Sequence, residues 1–339
     1  MEHNHLRSFE VSGFKKFTDL KIDNIGQFNL IVGDNNVGKT SLLEALCING
    51  SIDEFLKSLA NINYHVKRNQ DLKKSFLHQY FSFELNDFPQ KMIFKLFSNE
   101  DFLIRLTKVN ANDIYGLRTG IDFDLTQEDF SGSPIEYNTA DINRRPFDLT
   151  IPFIPFGALY QHELTEEYSK YIQLFVDKKD DLISSLSNIL KDVRNIEVNA
   201  SYSSYPILLI SEKGKNTLLP LATYGDGTVK LFRILLSLFA TNYYYNRLMI
   251  DELDSGIYYD HLKDFIKSLL IVAKKQGKQI FATTHSKECI ESFKAALEET
   301  GLQNEGRIIR LAETKTGIKA YTNTFEQFEN SLLAESEIR

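Results

Sequence analysis

Residues Gly33-Asp34-Asn35-Asn36-Val37-Gly38-Lys39-Thr40 satisfy the pattern GxxxxGK[ST] at every position. The demand behind it is physical. Glycines let the backbone curl until its N–H groups face phosphate oxygens, at a helix N-terminus whose partial positive charge already favours anions. Lys39 then reaches the β- and γ-phosphates and the Thr40 hydroxyl reaches Mg²⁺. The candidate nucleotide-binding set is Gly33, Asp34, Asn35, Asn36, Val37, Gly38, Lys39, Thr40 and Ser41. The apolar run Phe28–Val32 stops at Gly33 and reads as a buried strand, and Gly38–Ile48 reads as the following helix.

Around this element, Leu6–Val11 and Phe17–Ile22 read as strands about a turn at Gly13. Asp53–Leu59 and Asp71–Leu77 have helical spacing, whereas Phe81–Leu85, Lys91–Phe97 and Phe102–Val109 have strand character. Ala111–Thr150 is polar, Asp/Asn-rich and poorly periodic, and reads as an irregular insertion before Phe153-Ile154-Pro155 re-enters the core. Apolar spacing through Leu174, Ile183, Leu186, Ile189 and Leu190 predicts a helical hairpin over about Leu164–Val176 and Asp180–Val193. At about 30 residues it is too short for a coiled-coil arm.

The second half alternates. Strands are expected at Ile207–Ile210, Leu218–Leu221, Leu248–Ile250, Gln279–Thr283 and Arg307–Leu311. Helices are expected at Thr228–Thr241, Tyr259–Lys275, Ser286–Leu297 and near Phe325–Leu333. This order implies an α/β fold, a mixed sheet flanked by helices and completed from both ends of the chain, with a helical and irregular insertion. The expected division is residues 1–99 as an N-terminal lobe, 100–193 as the insertion and 194–339 as a C-terminal lobe.

Composition narrows the setting. The balance of 39 basic against 46 acidic residues gives a net charge of −7, which excludes coating nucleic acid by bulk positive charge and leaves only a local patch for DNA. Cys47 and Cys289 stand alone, without a CxxC pair, so neither a zinc site nor a disulfide frame is indicated. The longest apolar stretch, Leu231–Ala240, contains Arg233 and is too short for a bilayer. The N-terminus lacks the features of a signal peptide. A cytoplasmic protein without membrane contact is expected.

Two further strand ends carry chemistry. Arg247-Leu248-Met249-Ile250 runs into Asp251 and Glu252, and the carboxyl end of a parallel strand faces the ligand crevice. Asp251 can hold Mg²⁺ and Glu252 can polarise an attacking water. Ile280-Phe281-Ala282-Thr283-Thr284 runs into His285, 34 positions after Asp251 (285 − 251). That gap accommodates one crossover helix and the neighbouring strand. His285 can donate to a γ-phosphate, and Ser286 can cap the next helix.

In this order the motifs resemble the ABC-type ATPases of the RecF, SMC and OLD (overcoming-lysogenization-defect) group, whose fold is the P-loop NTPase of ABC type. The resemblance rests on GDNNVGKT at 33–40 with its preceding strands, on Thr223-Tyr224-Gly225-Asp226-Gly227, on Asp251-Glu252-Leu253-Asp254-Ser255-Gly256, and on ATTHS ending at Ser286. It covers roughly residues 1–60 and 200–320. It implies a homodimer, or an assembly of dimers, that sandwiches ATP and Mg²⁺ head to tail. Gly225, Asp226 and Gly227 would act in trans as the signature, Asp254 and Ser255 as the D-loop, Glu252 as catalytic base and His285 as phosphate switch, with Lys39 also in the catalytic set. Gly-Asp-Gly departs from the family's serine-glycine-glycine and leaves the usual serine contact without a provider. The Q-loop glutamine, a further metal contact, is Gln79 or Gln161, with Gln79 preferred.

Other signals are discounted. Asp122-Phe123-Asp124 reads as loop acids, and the 28 residues after Leu311 (339 − 311) are too few for a TOPRIM nuclease domain. Lys15 and Lys16 read as a solvated pair. No NKxD follows the phosphate loop, which disfavours GTP. The resulting expectation is an ATP-hydrolysing switch controlling a separate effector, a nuclease or toxin of bacterial anti-phage defence. The alternatives are a RecF-like DNA clamp and a nucleotide-gated scaffold without turnover.

Overall fold

The computed structural model describes residues 5–47, 91–97, 102–112, 119–128, 134–136, 153–154, 161–187, 190, 193–199, 206–240 and 246–328. The expected helices at Asp53–Leu59 and Asp71–Leu77, the strand Phe81–Leu85 and Gln79 lie outside them. The chain divides into two compact units: Met1–Gly26, Ile31–Phe153 and Arg307–Arg339 form one, Gln27–Leu30 and Ile154–Gly306 the other.

The first unit begins with β1 (Ser8–Phe14) and β2 (Phe17–Ile22), followed by β3 (Phe28–Gly33), of which it takes the end, and α1 (Lys39–Leu46). Cross-strand pairs Phe9↔Ile22, Val11↔Leu20 and Phe14↔Phe17 are apolar and buried, which sets the register. The turn is therefore Lys15-Lys16, and Gly13 lies inside β1. β4 (Lys91–Phe97), β5 (Phe102–Asn112), β6 (Thr119–Glu128) and β7 (Pro134–Glu136) extend this antiparallel sheet in the order β2-β1-β4-β5-β6-β7. The segment read as irregular thus contributes two strands. Its Gly-Ile-Asp-Phe-Asp-Leu run alternates with period two, and Asp122 and Asp124 occupy ladder positions opposite Val109 and Thr107.

In the second unit, β8 (Phe153–Ile154) precedes α2 (Gln161–Tyr171) and α3 (Val176–Ser187). The hairpin buries Leu164, Tyr168, Ile172, Leu182 and Leu186, while Leu174 sits exposed in its turn. Val193, read as the last residue of the second helix, instead opens a strand. β9 (Val193–Asn199), β10 (Ile207–Glu212) and β11 (Leu218–Pro220) make a three-stranded sheet. After a 3-10 turn at Leu221–Tyr224 come α4 (Asp226–Ala240), β12 (Arg247–Ile250), α5 (Tyr259–Lys275), β13 (Gln279–Thr283) and α6 (Lys287–Thr300). β12 and β13 pair in parallel, and every residue of both is buried, which is why their sequences are continuous apolar runs rather than alternating ones. Phe28–Leu30 of β3 flanks β13 in the order β3-β13-β12-β8. Asn29 donates to the Ile280 carbonyl at 3.1 Å and Gln27 to that of Lys278 at 3.0 Å. α5 presents Leu262, Phe265, Ile266, Leu269, Leu270 and Ala273 on one buried face.

The first unit closes with β14 (Gly306–Thr314) and β15 (Gly317–Thr324), an antiparallel pair from Arg307↔Thr324 to Thr314↔Gly317. β15 stands where the sequence reading went directly to a helix; helical residues begin at 325.

Candidate active site

In the first unit, β3 delivers the phosphate loop and α1 receives it, with Gly38 as a left-handed N-cap. Gly33 has φ +146°, and a Cβ there would stand 2.5 Å from the Leu311 carbonyl oxygen of β14; only glycine fits. Lys39 is buried, and its ammonium donates to the carbonyls of Gly33 (2.8 Å) and Asp34 (2.9 Å). Asp34, Asn35, Asn36 and Thr40 are exposed and Ser41 is half-buried. The curl required of a phosphate cradle is present: Asn36 takes φ +65°, rare for a side-chain-bearing residue. Lys15 and Lys16 are not a solvated pair. Lys15 forms an ion pair with Glu44, a buried carboxylate of α1, and Lys16 donates to the Asn36 carbonyl at 2.6 Å. The β1–β2 turn thereby grips both the loop and its helix.

In the second unit, the end of β12 and the end of β13 assemble the acidic loop. Asp251 is buried and its N–H donates to the Ile154 carbonyl of β8 at 2.8 Å. The Thr283 hydroxyl donates to Asp251 Oδ1 (2.7 Å) and accepts from the Glu252 N–H (2.8 Å). Glu252 has φ +48°, a conformation costing on the order of 1 kcal/mol outside glycine. Its carboxylate stands half-exposed with Oε1 3.0 Å from His285 Nε2. Asp254 accepts from the Thr284 hydroxyl at 2.6 Å. Asp251, Glu252, Asp254, Ser255 and His285 are gathered around one loop.

The signature candidates join them. Gly225 lies in an exposed turn at φ +87°, and Asp226 and Gly227 form the first turn of α4. A Cβ on Gly227 would meet the Gly256 carbonyl oxygen at 2.1 Å, so this glycine lets α4 touch the loop after Asp254. Tyr224 fixes the turn from the other side, donating to Glu212 at 2.7 Å. Burial first, then Glu212, pushes its phenol up to about 12.

Sequence reasoning missed Lys230. It is buried in α4, and its ammonium donates to the Glu252 carbonyl, with those of Ser255 at 3.4 Å and Asp251 at 3.5 Å. Burial lowers it to about 8, against the opposing pull of Asp254, Asp251 and Glu252. The available signal was a lysine flanked by Val229 and Leu231 in a mostly apolar helix. Thr283 was also missed, inside a strand read only for its apolarity. Gln161 opens α2, at the start of the hairpin. Among the described residues no cluster of His, Cys, Asp and Glu forms a ready-made metal cage. Both cysteines are free and buried, and burial lifts the Cys289 thiol to about 12. No helix among the described residues is long and apolar enough to cross a membrane.

Comparison with known proteins bears on the fold and the family. A Helicobacter pylori protein named ATP/GTP phosphatase is 21% identical over 345 aligned positions, covering 91% of this chain and 92% of that protein. An uncharacterized protein of Methanocaldococcus jannaschii is 27% identical over 173, covering 45% of this chain and 75% of its own length. Two solved structures share the fold at 12% and 11% identity. One is an SMC head bound to the C-winged helix domain of ScpA (TM-score 0.58, 96% of this chain and 99% of that one). The other is an Smc head with an extended coiled coil bound to the C-terminal domain of ScpA from Pyrococcus furiosus (0.56, 98% and 99%). The fold is thus α/β, of the ABC-ATPase type. Residues 54–291, more than half of the chain and beginning after the phosphate loop, match the family described as "AAA domain, putative AbiEii toxin, Type IV TA system". The chain belongs to that AAA-domain family.

Proposed function

We propose that this chain is an ATP-hydrolysing switch of the ABC type, akin to the OLD-like and RecF-like ATPases, that dimerises head to tail and controls a separate effector in bacterial defence. The effector is a nuclease or a toxin, and the setting is the cytoplasm. Residues 1–99 and 194–339 serve as the ATPase lobes and 100–193 as the insertion; any contact with DNA is made through a local basic patch. ATP hydrolysis is supported by the family and by the name of the Helicobacter pylori relative. A separate protein partner is in keeping with the ScpA domains bound to the two SMC heads.

The observation that carries the proposal is the Glu252–His285 pair at the ends of two adjacent parallel strands, 3.0 Å apart and half-exposed. Glu252 takes the proton of the attacking water, and His285 orients that carboxylate and donates toward the γ-phosphate. Lys39 exchanges its two carbonyl partners for phosphate oxygens. Thr40 and Asp251 are the residues that would hold Mg²⁺, and the ion, when bound, would supply charge neutralisation at the phosphates. Gly225 and Gly227 offer backbone N–H groups at the start of α4 to the nucleotide of the partner copy.

The test is Glu252→Gln. The variant should bind ATP with unchanged affinity, lose turnover by at least about 100-fold, and accumulate as an ATP-dependent dimer in size-exclusion chromatography. Unaltered turnover removes Glu252 as the base. A wild-type protein that dimerises on ATP without releasing phosphate is instead a nucleotide-gated scaffold.

A further inference from the structure

We infer that Thr283 is a positioning residue for the catalytic loop, one hydroxyl that orients the Asp251 carboxylate and the Glu252 backbone together. This rests on the reading that Asp251 and Glu252 serve ATP hydrolysis. A hydroxyl has one proton to give and lone pairs to fill. A carboxylate only accepts and a backbone N–H only donates, so the polarity of the pair of bonds admits a single arrangement: Oγ1–H to Asp251 Oδ1 at 2.7 Å, and Glu252 N–H to Oγ1 at 2.8 Å. The Thr283 carbonyl also accepts the Leu253 N–H at 2.8 Å. Three consecutive loop residues are thus tied to one residue of β13.

Thr283 is itself immobilised. It is 1% exposed, its strand is locked to β12 by the parallel register Ile250↔Ala282, and β-branching stiffens its χ1. The bond to Oδ1 fixes the rotation of the Asp251 carboxylate. The bond from the Glu252 N–H helps to maintain the left-handed backbone from which Glu252 reaches His285. Thr283 acts through the two acids that it contacts.

Thr283→Val keeps the shape and strand preference and removes only the hydroxyl; Thr283→Ser keeps the hydroxyl and removes the methyl. In the ligand-free protein, hydrogen–deuterium exchange of a peptide covering 251–254 should accelerate in Thr283→Val and stay near wild type in Thr283→Ser. With ATP, Thr283→Val should lose about 10–100-fold in turnover, require more Mg²⁺ for half-maximal rate and keep its ATP dissociation constant within about twofold. Thr283→Ser should recover most of the rate. Should Thr283→Val fail to fold, Thr283→Ala against Thr283→Ser makes the same comparison. Wild-type exchange in Thr283→Val, or a serine variant as impaired as the valine one, overturns the inference. A wild-type protein without ATPase activity overturns the proposed function instead, and the exchange measurement still decides the role of Thr283.

Discussion

Two buried lysines of the second unit are handled in different ways. Lys230 and Lys278 are each lowered to about 8 chiefly by burial, but Asp254, Asp251 and Glu252 oppose the shift at Lys230 whereas Lys178 adds to it at Lys278. In the unfolded chain Lys278 titrates near 10.4. Below about pH 8 both states are protonated and the folded state bears the full penalty. Between pH 8 and about 10.4 the unfolded state binds a proton that the folded state has released, so this residue's contribution to stability rises with pH. Lys278→Met should therefore be more stable than wild type at pH 7, by up to about 3 kcal/mol, since each tenfold loss of proton affinity is worth about 1.4 kcal/mol. The gap should shrink as the pH climbs toward 10 in urea unfolding curves. A gap that stays constant over that range refutes the assignment. Placement was legible wherever a residue sat in a phosphate-loop or strand-end motif, as with Lys39, Asp251 and His285. Thr283 and Lys230 were not, because their partners are backbone atoms and side chains distant in sequence, and such contacts leave no spacing to read.

Elements were legible in proportion to how far burial alone dictates them. α5 and β13 occupy the residues predicted for them because a strongly one-sided helix and a fully buried strand have few competing readings. β6 was missed although Ile121, Phe123 and Leu125 alternate, since the intervening aspartates made the segment look solvated. β9 was not anticipated, and its first residue was read as the end of the preceding helix because Val193 continues the apolar spacing of the hairpin. The start of α4 offers a test at this scale. Gly227→Ala places a methyl against the Gly256 carbonyl, with no flexible side chain to yield. Overpacking of that kind costs about 1–3 kcal/mol. We expect a thermal midpoint lowered by several degrees and impaired turnover. Gly214→Ala, at a turn with no neighbour within 4 Å of the added carbon but with φ +78°, should cost on the order of 1 kcal/mol for its left-handed backbone, leave turnover unchanged and serve as the control for turnover. Equal behaviour of the two variants would show that the α4–loop contact is not tight.

At the scale of the molecule, the proposed shared site makes a prediction that no single chain can satisfy. Lys39→Ala and Gly225→Arg subunits should each be inactive alone, one lacking the phosphate-loop cation and the other its signature turn. Mixed, they should regain a measurable fraction of wild-type turnover, because one of the two sites in a mixed dimer is intact. No recovery in the mixture argues for a site completed within one chain. The sequence anticipated that both ends of the chain would build the core. It did not reveal how finely they interleave, since periodicity describes elements and not their partners.

That interleaving has a consequence for anyone dividing the molecule. Phe28–Leu30 counts with the second unit while the remainder of the same strand, Ile31–Gly33, counts with the first, which also needs Arg307 onward from the far end of the chain. Arg307 donates to the Asn24 carbonyl at 3.1 Å across 283 positions. No single cut can therefore release both units whole, and a stop codon anywhere before β15 leaves the phosphate-loop unit unfinished. Synthesis must pass β15 before the residues of the phosphate loop acquire their final neighbours. A truncated product is then not a weaker enzyme but a chain without a completed nucleotide unit.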